Sequence, residues 1–230
     1  MSVTIHSAQV VGLDAKIISV EMDITPGLHI FTIVGLADKE VQESRERITA
    51  AIQNLGALAP HKKSQRVIVN LAPADIKKEG PAFDLPIALG FLLASGQVVF
   101  DPRRTVFLGE LGLDGGARKV SGILAVTLAA RDAGFSAIVV PKGNGLEASL
   151  VHDIAIYEVS SLAETIEFLA GRKNLEPFPP HTHSQVKLPN LSADYRHIKG
   201  QEKAKRALEI AAAGHHNALM VGPPGGGKTL

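Results

Sequence analysis

The segment between two apolar runs of this chain reads Asn70-Leu71-Ala72-Pro73-Ala74-Asp75-Ile76-Lys77-Lys78-Glu79-Gly80-Pro81-Ala82-Phe83-Asp84-Leu85-Pro86. The run before it, residues 66–71, predicts a strand. The run after it continues to residue 94 and predicts a buried helix. Asp84 is expected to cap this helix, and Pro86 lies in its first turn, where a missing N–H does no harm. The three pieces together predict a strand, a loop and a helix.

Further strands and helices are predicted on both sides of this unit. Apolar and polar residues alternate over residues 18–24, as in a half-buried strand, and a second apolar run spans residues 29–35. An amphipathic helix is predicted from Asp38, a good N-cap, to Gly56, a good C′ residue. Later strands are predicted at 105–111, 137–141 and 155–159, and later helices at 123–133 and 162–169. Ser161 and Glu164 have the spacing of a capping box at the start of the last helix. These elements indicate an α/β (α+β) fold.

The composition limits the classes of function. The chain has 230 residues, of which 45% are hydrophobic, and a formal net charge of +1. Any binding to nucleic acid or acidic lipid must therefore come from local patches. The absence of cysteine excludes disulfides and thiolate zinc sites and agrees with a cytoplasmic location. Neither a signal peptide nor an apolar run of the roughly 20 residues that cross a bilayer is found, so no membrane association is expected.

The elements divide the chain into three predicted parts. Residues 1–171 form the large domain. Residues 172–190 lose the hydrophobic period and contain four prolines, as expected of a semi-extended linker. Residues 191–230 begin a second domain, with a helix predicted at 201–213 and a short buried strand at 218–221 before a glycine-rich loop.

That loop satisfies the Walker A pattern with Gly222-Pro223-Pro224-Gly225-Gly226-Gly227-Lys228-Thr229. Its glycines let successive backbone N–H groups converge on a phosphate of ATP. Lys228 reaches the β and γ oxygens, and the Thr229 hydroxyl is placed to ligate Mg²⁺. ATP and Mg²⁺ are therefore the expected cofactors. No acidic strand, water-positioning residue or arginine finger follows the loop, so the sequence is expected to be a fragment that does not hydrolyse ATP.

Two sets of motifs together resemble a known family. Ile198-Lys199-Gly200-Gln201 looks like the element of AAA+ ATPases that packs against the adenine, and a Gly-Pro-Pro-Gly loop is typical of these proteins. Upstream, the 70–86 segment looks very like the magnesium-chelatase-like proteins of the ComM/YifB group. The same is true of Gly35-Leu36-Ala37 with Val41, Glu43, Ser44 and Arg47. The similarity covers the whole chain.

This resemblance implies a fold and a function. Residues 1–171 are expected to form a ribosomal S5 domain 2-like, Lon-protease-like domain, and residues 191–230 the start of a P-loop AAA+ domain. ATP is expected to contact Ile198, Gly200 and Gln201 as well as the glycine-rich loop. Characterised members of the group act on DNA as branch-migrating motors in natural transformation. The full-length protein is therefore expected to be a homo-hexameric, ATP-driven DNA-remodelling motor.

The 70–86 segment can also be compared with the catalytic segment of Lon peptidases. Active Lon peptidases read Lys-Asp-Gly-Pro-Ser-Ala-Gly where this chain has residues 78–84, so Ala82 takes the place of the nucleophile. Lon peptidases pair their serine with a catalytic lysine. The position of this lysine falls on Leu124, and Lys119 lies before the helix predicted at 123–133. With no hydroxyl to attack and no nearby amine to act as base, the domain is expected to be a non-proteolytic binding or assembly module.

Other functions stay open at this point: a Lon-like peptidase, a chelatase motor subunit, or a non-catalytic interaction module. Two basic clusters on predicted loops are candidates for contacts to the phosphate backbone of DNA, although solvated loops are the alternative. They are His61-Lys62-Lys63 with Arg66, and Lys77-Lys78. Aromatic residues are few, so base stacking on this domain is not expected.

Overall fold

The computed structural model describes residues 2–181 and 194–226, and the chain divides into two units, Met1–Thr182 and His183–Leu230. The strands of the first unit are β1 (Val3–Val11), β2 (Asp14–Pro26), β3 (Ile30–Val34), β4 (Gln65–Ala72), β5 (Thr105–Phe107), β6 (Glu110–Leu111), β7 (Ala117–Arg118), β8 (Ala137–Pro141) and β9 (Ala155–Val159). Its α-helices are α1 (Lys39–Asn54), α2 (Asp84–Ala94), α3 (Ile123–Asp132), α4 (Gly145–Ala148) and α5 (Leu162–Leu169). The described part of the second unit contains α6 (Glu202–Ala213).

Seven strands of the first unit form a mixed, mainly parallel sheet in the order β3-β4-β2-β1-β5-β8-β9. The β1–β2 and β2–β4 pairs are antiparallel, and the other four pairs are parallel. The strands β6 and β7 form a separate antiparallel pair. Parallel neighbours require crossover connections, which is why helices separate β3 from β4 and β5 from β8.

Helices cover both faces of the sheet and bury two clusters of apolar side chains. The larger cluster contains residues of α1, α2 and α5 packed on one face, such as Ile48, Phe91 and Ile166. The smaller cluster lies under α3 and includes Val126 and Ile138. Helix α2 is apolar all round, and its residues 84–92 are buried, as expected of a central helix. The mixed α/β fold predicted from the sequence is confirmed at this level.

Local sequence signals placed two helices correctly. The Asp38 carboxylate accepts a hydrogen bond from the Val41 N–H at 2.8 Å and caps α1. At α5, the Ser161 hydroxyl accepts from the Glu164 N–H at 3.1 Å, and the Glu164 carboxylate in return accepts from the Ser160 N–H at 2.6 Å. Both arrangements satisfy N–H groups that a helix start leaves unpaired.

Other expectations need correction. Asp84 does not cap α2, because it is the first helical residue and its carboxylate bonds to other parts of the chain. The strand predicted at 105–111 is broken into β5 and β6, since the Gly109 N–H bonds to the Ala82 carbonyl at 2.9 Å instead of continuing the ladder. The strand β1 and the short helix α4 were not predicted.

The segment after α5 returns along the first unit. Leu175 packs against the larger apolar cluster and Phe178 against the smaller one. The Phe178 N–H donates to the Ile156 carbonyl of β9 at 2.7 Å, and the His181 N–H donates to the Ser149 carbonyl at 3.0 Å. The first part of the predicted linker is therefore fixed to this unit by apolar and backbone contacts.

In the second unit, α6 confirms the helix predicted at 201–213. The buried strand predicted at 218–221 is not observed. Leu219 and Val221 are both 89% exposed. A strand is defined by hydrogen bonds to a neighbour, and within residues 194–226 no neighbouring strand pairs with this segment.

Candidate functional site

A cavity of about 580 Å³ lies within the described part of the second unit. It brings together the turn before α6, one side of that helix, and the loop that follows it. The lining residues are Tyr195, Ile198, Gln201, Ala204, Lys205, Ala207, Leu208, Ala218, Leu219, Met220, Val221, Gly222, Pro223 and Gly226. We refer to this cavity as the 195–226 pocket. Its lining is mostly apolar with a few polar groups, as in many small-molecule sites.

A short 3-10 turn, Tyr195–His197, forms one wall of the pocket. The Asp194 carboxylate accepts from the Arg196 N–H at 2.9 Å and fixes the start of this turn. The chain then reverses through two residues in the left-handed region, Gly200 at φ +71° and Gln201 at φ +56°. Glycine adopts this region without steric cost, whereas glutamine is strained by its Cβ. The reversal leads directly into α6 and leaves Gln201 in the pocket lining.

Lys205 holds the turn and the helix together. Its Nζ donates to the Ile198 carbonyl at 3.3 Å and forms an ion pair with the Glu202 carboxylate at 2.6 Å. The Lys205 side chain is 21% exposed, but that of Glu202 is 80% exposed, so water and salt screen much of this ion pair. Lys205 therefore fixes the position of Ile198 in the pocket wall.

The glycine-rich loop forms the opposite wall. Gly222, Pro223 and Gly226 line the pocket, and the Gly226 N–H donates to the Pro223 carbonyl at 3.3 Å. Gly225 has φ +80°, which a residue with a side chain rarely adopts. Of the other residues expected to bind ATP, Pro224, Gly225 and Gly200 do not line the pocket. The last three, Gly227, Lys228 and Thr229, lie outside the described residues.

Several residues of this site were not predicted from the sequence. Tyr195, Leu208 and Met220 line the pocket but belong to no motif that was recognised. Lys205 was likewise not predicted to be part of a site. Lys205 lies four residues, about one helical turn, after Gln201. This spacing was the sequence signal that could have predicted its place in the pocket.

The first unit has its own pocket around Ala82, of about 400 Å³. Lys119 and Ser121 line the same pocket, together with Gln9 and Glu110. Lys119, which the comparison with Lon peptidases placed before the helix that would carry the lysine, therefore lines the same pocket as Ala82. Leu124, by contrast, lies on α3 and is absent from this lining. Ala82 has no hydroxyl, so the position at which Lon peptidases carry their nucleophile cannot form a covalent bond to a peptide.

One of the two predicted basic clusters is not a basic surface. Lys78 is fully buried, and its Nζ donates to the Pro73 carbonyl. Burial lowers the pKa of this amine, since charge is disfavoured away from water. Its neighbour Lys77 forms an ion pair with Glu79 at 2.5 Å. Neither residue presents an unpaired charge to a ligand.

The described residues form neither a metal-binding cluster nor a membrane-spanning helix. Across residues 2–181 and 194–226, no group of three or more His, Asp and Glu side chains is placed to hold a metal ion. Within the same residues, no helix combines the length and the apolar character needed to span a bilayer.

Comparisons with known proteins agree on a family. The profile described as subunit ChlI of Mg-chelatase matches residues 20–144, and a second, magnesium chelatase subunit ChlI, matches residues 194–230. The chain is 40% identical to the competence protein ComM of Haemophilus influenzae over 231 residues, which cover 98% of this chain and 44% of that protein. It is also 40% identical to YifB of Salmonella typhimurium over 228 residues, with the same coverage of 98% and 44%.

A more distant similarity involves the first unit. The chain is 28% identical to Lon protease 1 of Myxococcus xanthus over 137 residues, which cover 57% of this chain and 16% of that protein. The chain thus spans less than half the length of ComM and YifB, at 44% of each.

Proposed function

Because the chain belongs to the Mg-chelatase subunit ChlI family and is ComM/YifB-like, we propose that its second unit binds ATP with Mg²⁺ and that the whole protein is a DNA-remodelling motor. Family membership suggests an AAA+ ATPase-like protein. The more specific parts of the proposal are the P-loop site, the hexamer, the DNA substrate and the cytoplasmic location.

One observation carries the nucleotide proposal. The 195–226 pocket brings the Ile198–Gln201 element and the glycine-rich loop to a single cavity, although about twenty residues separate them in the chain. A nucleotide needs an apolar surface for its base and a cluster of backbone N–H groups for its phosphates. This cavity combines an apolar wall with a loop of the required sequence.

We assign roles to the residues on this basis. The base packs against Ile198 and Tyr195, with Gln201 at the polar edge of the cavity. The phosphates follow the 222–229 loop, where Lys228 neutralises the β and γ oxygens and Thr229 ligates Mg²⁺. Gly200 and Gly225 allow the backbone reversals that shape the two walls.

The first unit has a different role in this proposal. A ribosomal S5 domain 2-like, Lon-like domain with alanine at the nucleophile position serves for binding or assembly and not for peptide hydrolysis. The similarity to Lon protease 1 supports the Lon-like domain, and alanine at position 82, which has no hydroxyl, supports the absence of peptide hydrolysis.

Isothermal titration calorimetry of the 230-residue chain with ATP and Mg²⁺ tests the nucleotide site. The unsubstituted chain is expected to bind ATP at one site, and Lys228→Ala to bind at least about tenfold more weakly, a loss of about 1.4 kcal/mol. Lys203→Ala is the matched control, because Lys203 lies on α6 outside the pocket lining. No ATP binding by the unsubstituted chain, or equal binding by Lys228→Ala, would contradict the proposal.

The motor activity is tested on a full-length protein that contains this chain. ATP hydrolysis is expected to rise when DNA is added, and labelled strands are expected to exchange in a four-way junction. The oligomer is measured by sedimentation in the presence of ATP, with a hexamer as the expected species. Hydrolysis that is insensitive to DNA together with an absence of strand exchange would exclude the motor role.

A further inference from the structure

Four basic side chains without an acidic partner gather at one end of the sheet in the first unit. They are Arg45 of α1, Lys62 at the end of the 3-10 turn Pro60–Lys62, Lys63 directly after it, and Arg66 of β4. We call this group, together with His29 and His61, the basic end. The second of the two predicted basic clusters is buried or paired, but the first one is part of this larger group.

The fold brings three separate segments together at this place. The Gly27 N–H donates to the Ser64 carbonyl at 3.2 Å, which joins the turn before β3 to the loop before β4. Ile30 of β3 pairs in register with Arg66 of β4. His29 therefore lies beside a loop that is more than thirty residues away in sequence.

A recess of about 330 Å³ lies within the basic end. Its lining includes His29, Phe31, Arg45 and His61. The Arg45 guanidinium is held by two backbone carbonyls: its Nε donates to Gln42 at 3.0 Å and its Nη1 to Phe31 at 3.2 Å. Its orientation is thus fixed before any ligand binds, which reduces the entropy lost on binding.

The charge of the basic end is not neutralised by the fold. Elsewhere in the first unit, ion pairs hold residues such as Arg103, Arg118 and Arg172. Across residues 2–181, no carboxylate lies within 4.0 Å of the cationic nitrogens of Arg45, Lys62, Lys63 or Arg66.

Two carboxylates lie in the neighbourhood of the basic end. Glu46 lines the recess, and Asp23 of β2 lies diagonally from Arg66 across the β2–β4 ladder. The four basic side chains outnumber these two carboxylates, although the chain as a whole has a net charge of only +1.

We infer that the basic end binds the phosphate backbone of nucleic acid, with one phosphate in the recess against Arg45 and neighbouring phosphates on Lys62, Lys63 and Arg66. This inference rests on the proposed action on DNA and adds the surface that makes contact. Phosphate contacts position a protein on nucleic acid but do not read its sequence. Phe31 is only partly exposed and packs against the core, so no open aromatic surface is available for stacking bases. Binding is therefore independent of sequence.

An anionic membrane is the competing partner for a basic surface. Basic segments that bind lipid surfaces usually lie on amphipathic helices whose apolar face enters the bilayer. The apolar face of α1 is instead buried in the core through Val41, Ile48 and Ile52. Of the other cations, Lys62 ends a three-residue 3-10 turn, Lys63 follows it and Arg66 lies on β4, so none is carried by an amphipathic α-helix. This arrangement favours a phosphate chain over a lipid surface.

Fluorescence anisotropy with a labelled DNA duplex, and with one of its single strands, tests the inference on the 230-residue chain. Lys62→Ala/Lys63→Ala is expected to weaken DNA binding at least about tenfold at about 0.1 M salt, and to reduce the slope of log K against log[salt] by about two. The matched control is Lys16→Ala/Lys142→Ala. It removes the same charge at exposed lysines that also have no ion pair, at the opposite end of the strands.

The outcomes separate this inference from the proposed nucleotide site. All variants are titrated with ATP as well, and ATP binding is expected to stay unchanged. If ATP binds but DNA does not, or if the two double variants lose the same DNA affinity, the basic end is not the nucleic-acid surface. Binding to phosphatidylserine vesicles without binding to DNA would also overturn the inference. If the unsubstituted chain does not bind ATP, this result contradicts the proposed nucleotide site and not the basic end.

Discussion

The guanidinium of Arg47 in α1 meets the carboxylate of Asp84 in α2 side by side, with Nε 2.7 Å from Oδ2 and Nη2 3.0 Å from Oδ1. Asp84 is fully buried and also accepts a hydrogen bond from the Leu111 N–H at 3.1 Å. This pair joins the two helices to the strand β6. Charged groups this far from water are tolerated only with such partners.

Arg47→Ala is expected to destabilise the first unit by roughly 3–5 kcal/mol at neutral pH, because it leaves the Asp84 carboxylate buried without a cation. The free energy of unfolding is measured by urea titration followed by circular dichroism. Arg103→Ala is the control, since its two-pronged pair with Asp101 is exposed and contributes little. Equal losses in the two variants would show that burial of the Arg47–Asp84 pair does not matter.

The same pair predicts a dependence of stability on pH. Burial raises the pKa of Asp84 to about 6, although the hydrogen bonds from Arg47 and from the Leu111 N–H act to lower it. The stability that Asp84 contributes is therefore fully present below its unperturbed pKa of 3.8 and is lost as the pH rises through about 6. In Arg47→Ala the pKa of Asp84 rises further, because the neighbouring cation is gone.

The cost of Arg47→Ala is consequently expected to grow as the pH rises from about 5 to about 8. At the lower pH the carboxyl is mostly protonated, and losing the arginine leaves no buried charge. Urea unfolding of both proteins across this range measures the difference. A cost that is constant with pH would mean that Asp84 does not titrate in this window.

Gly35→Ala is expected to destabilise the first unit more than other glycine substitutions. Gly35 has φ +102°, and a Cβ there would overlap the backbone carbonyl of Leu71, so β3 would have to move away from β4. Gly134→Ala is the control: its φ is +82°, but a Cβ would meet no atom within 4 Å. The control should lose only the roughly 1–2 kcal/mol of the left-handed conformation. Thermal unfolding compares the two, and similar midpoints would contradict the expected clash.

Lys205→Met is expected to weaken ATP binding several-fold, since the Ile198 carbonyl and Glu202 both lose their cation. Lys205→Arg should restore part of the affinity, because it keeps the charge. Lys203→Met, on the same helix but outside the pocket lining, should bind ATP as the unsubstituted chain does. Calorimetric titration provides the dissociation constants. Unchanged binding in Lys205→Met would remove this residue from the site.

The sequence predicted those parts of the fold that depend on neighbouring residues. The strands β8 and β9 and the helix α5 were placed correctly, because apolar periodicity and the Ser161–Glu164 pair are local signals. The roles of Asp84 and Lys78 were not predictable in this way. Asp84 is 37 positions from Arg47, and the burial of Lys78 depends on how the segment after β4 folds back over it.

The candidate site was likewise predicted only in the parts that depend on local sequence. The glycine-rich loop and the 198–201 element were recognised from their residues, whereas the inclusion of Tyr195 and Met220 depends on how α6 and its flanking loops pack. The shared pocket of Ala82 and Lys119 was not predicted, because the two residues are far apart in the sequence and only the fold brings them to one cavity.

The segment that returns along β9 has a mechanical consequence. Tension applied to the chain beyond His181 acts first on the bond from the His181 N–H to Ser149, and then on the bond from the Phe178 N–H to Ile156. We expect these bonds to break one after another, before the ladder between β8 and β9 is loaded. Residues 175–181 are therefore expected to detach from the first unit before the sheet unfolds when the chain is pulled from its C-terminal side.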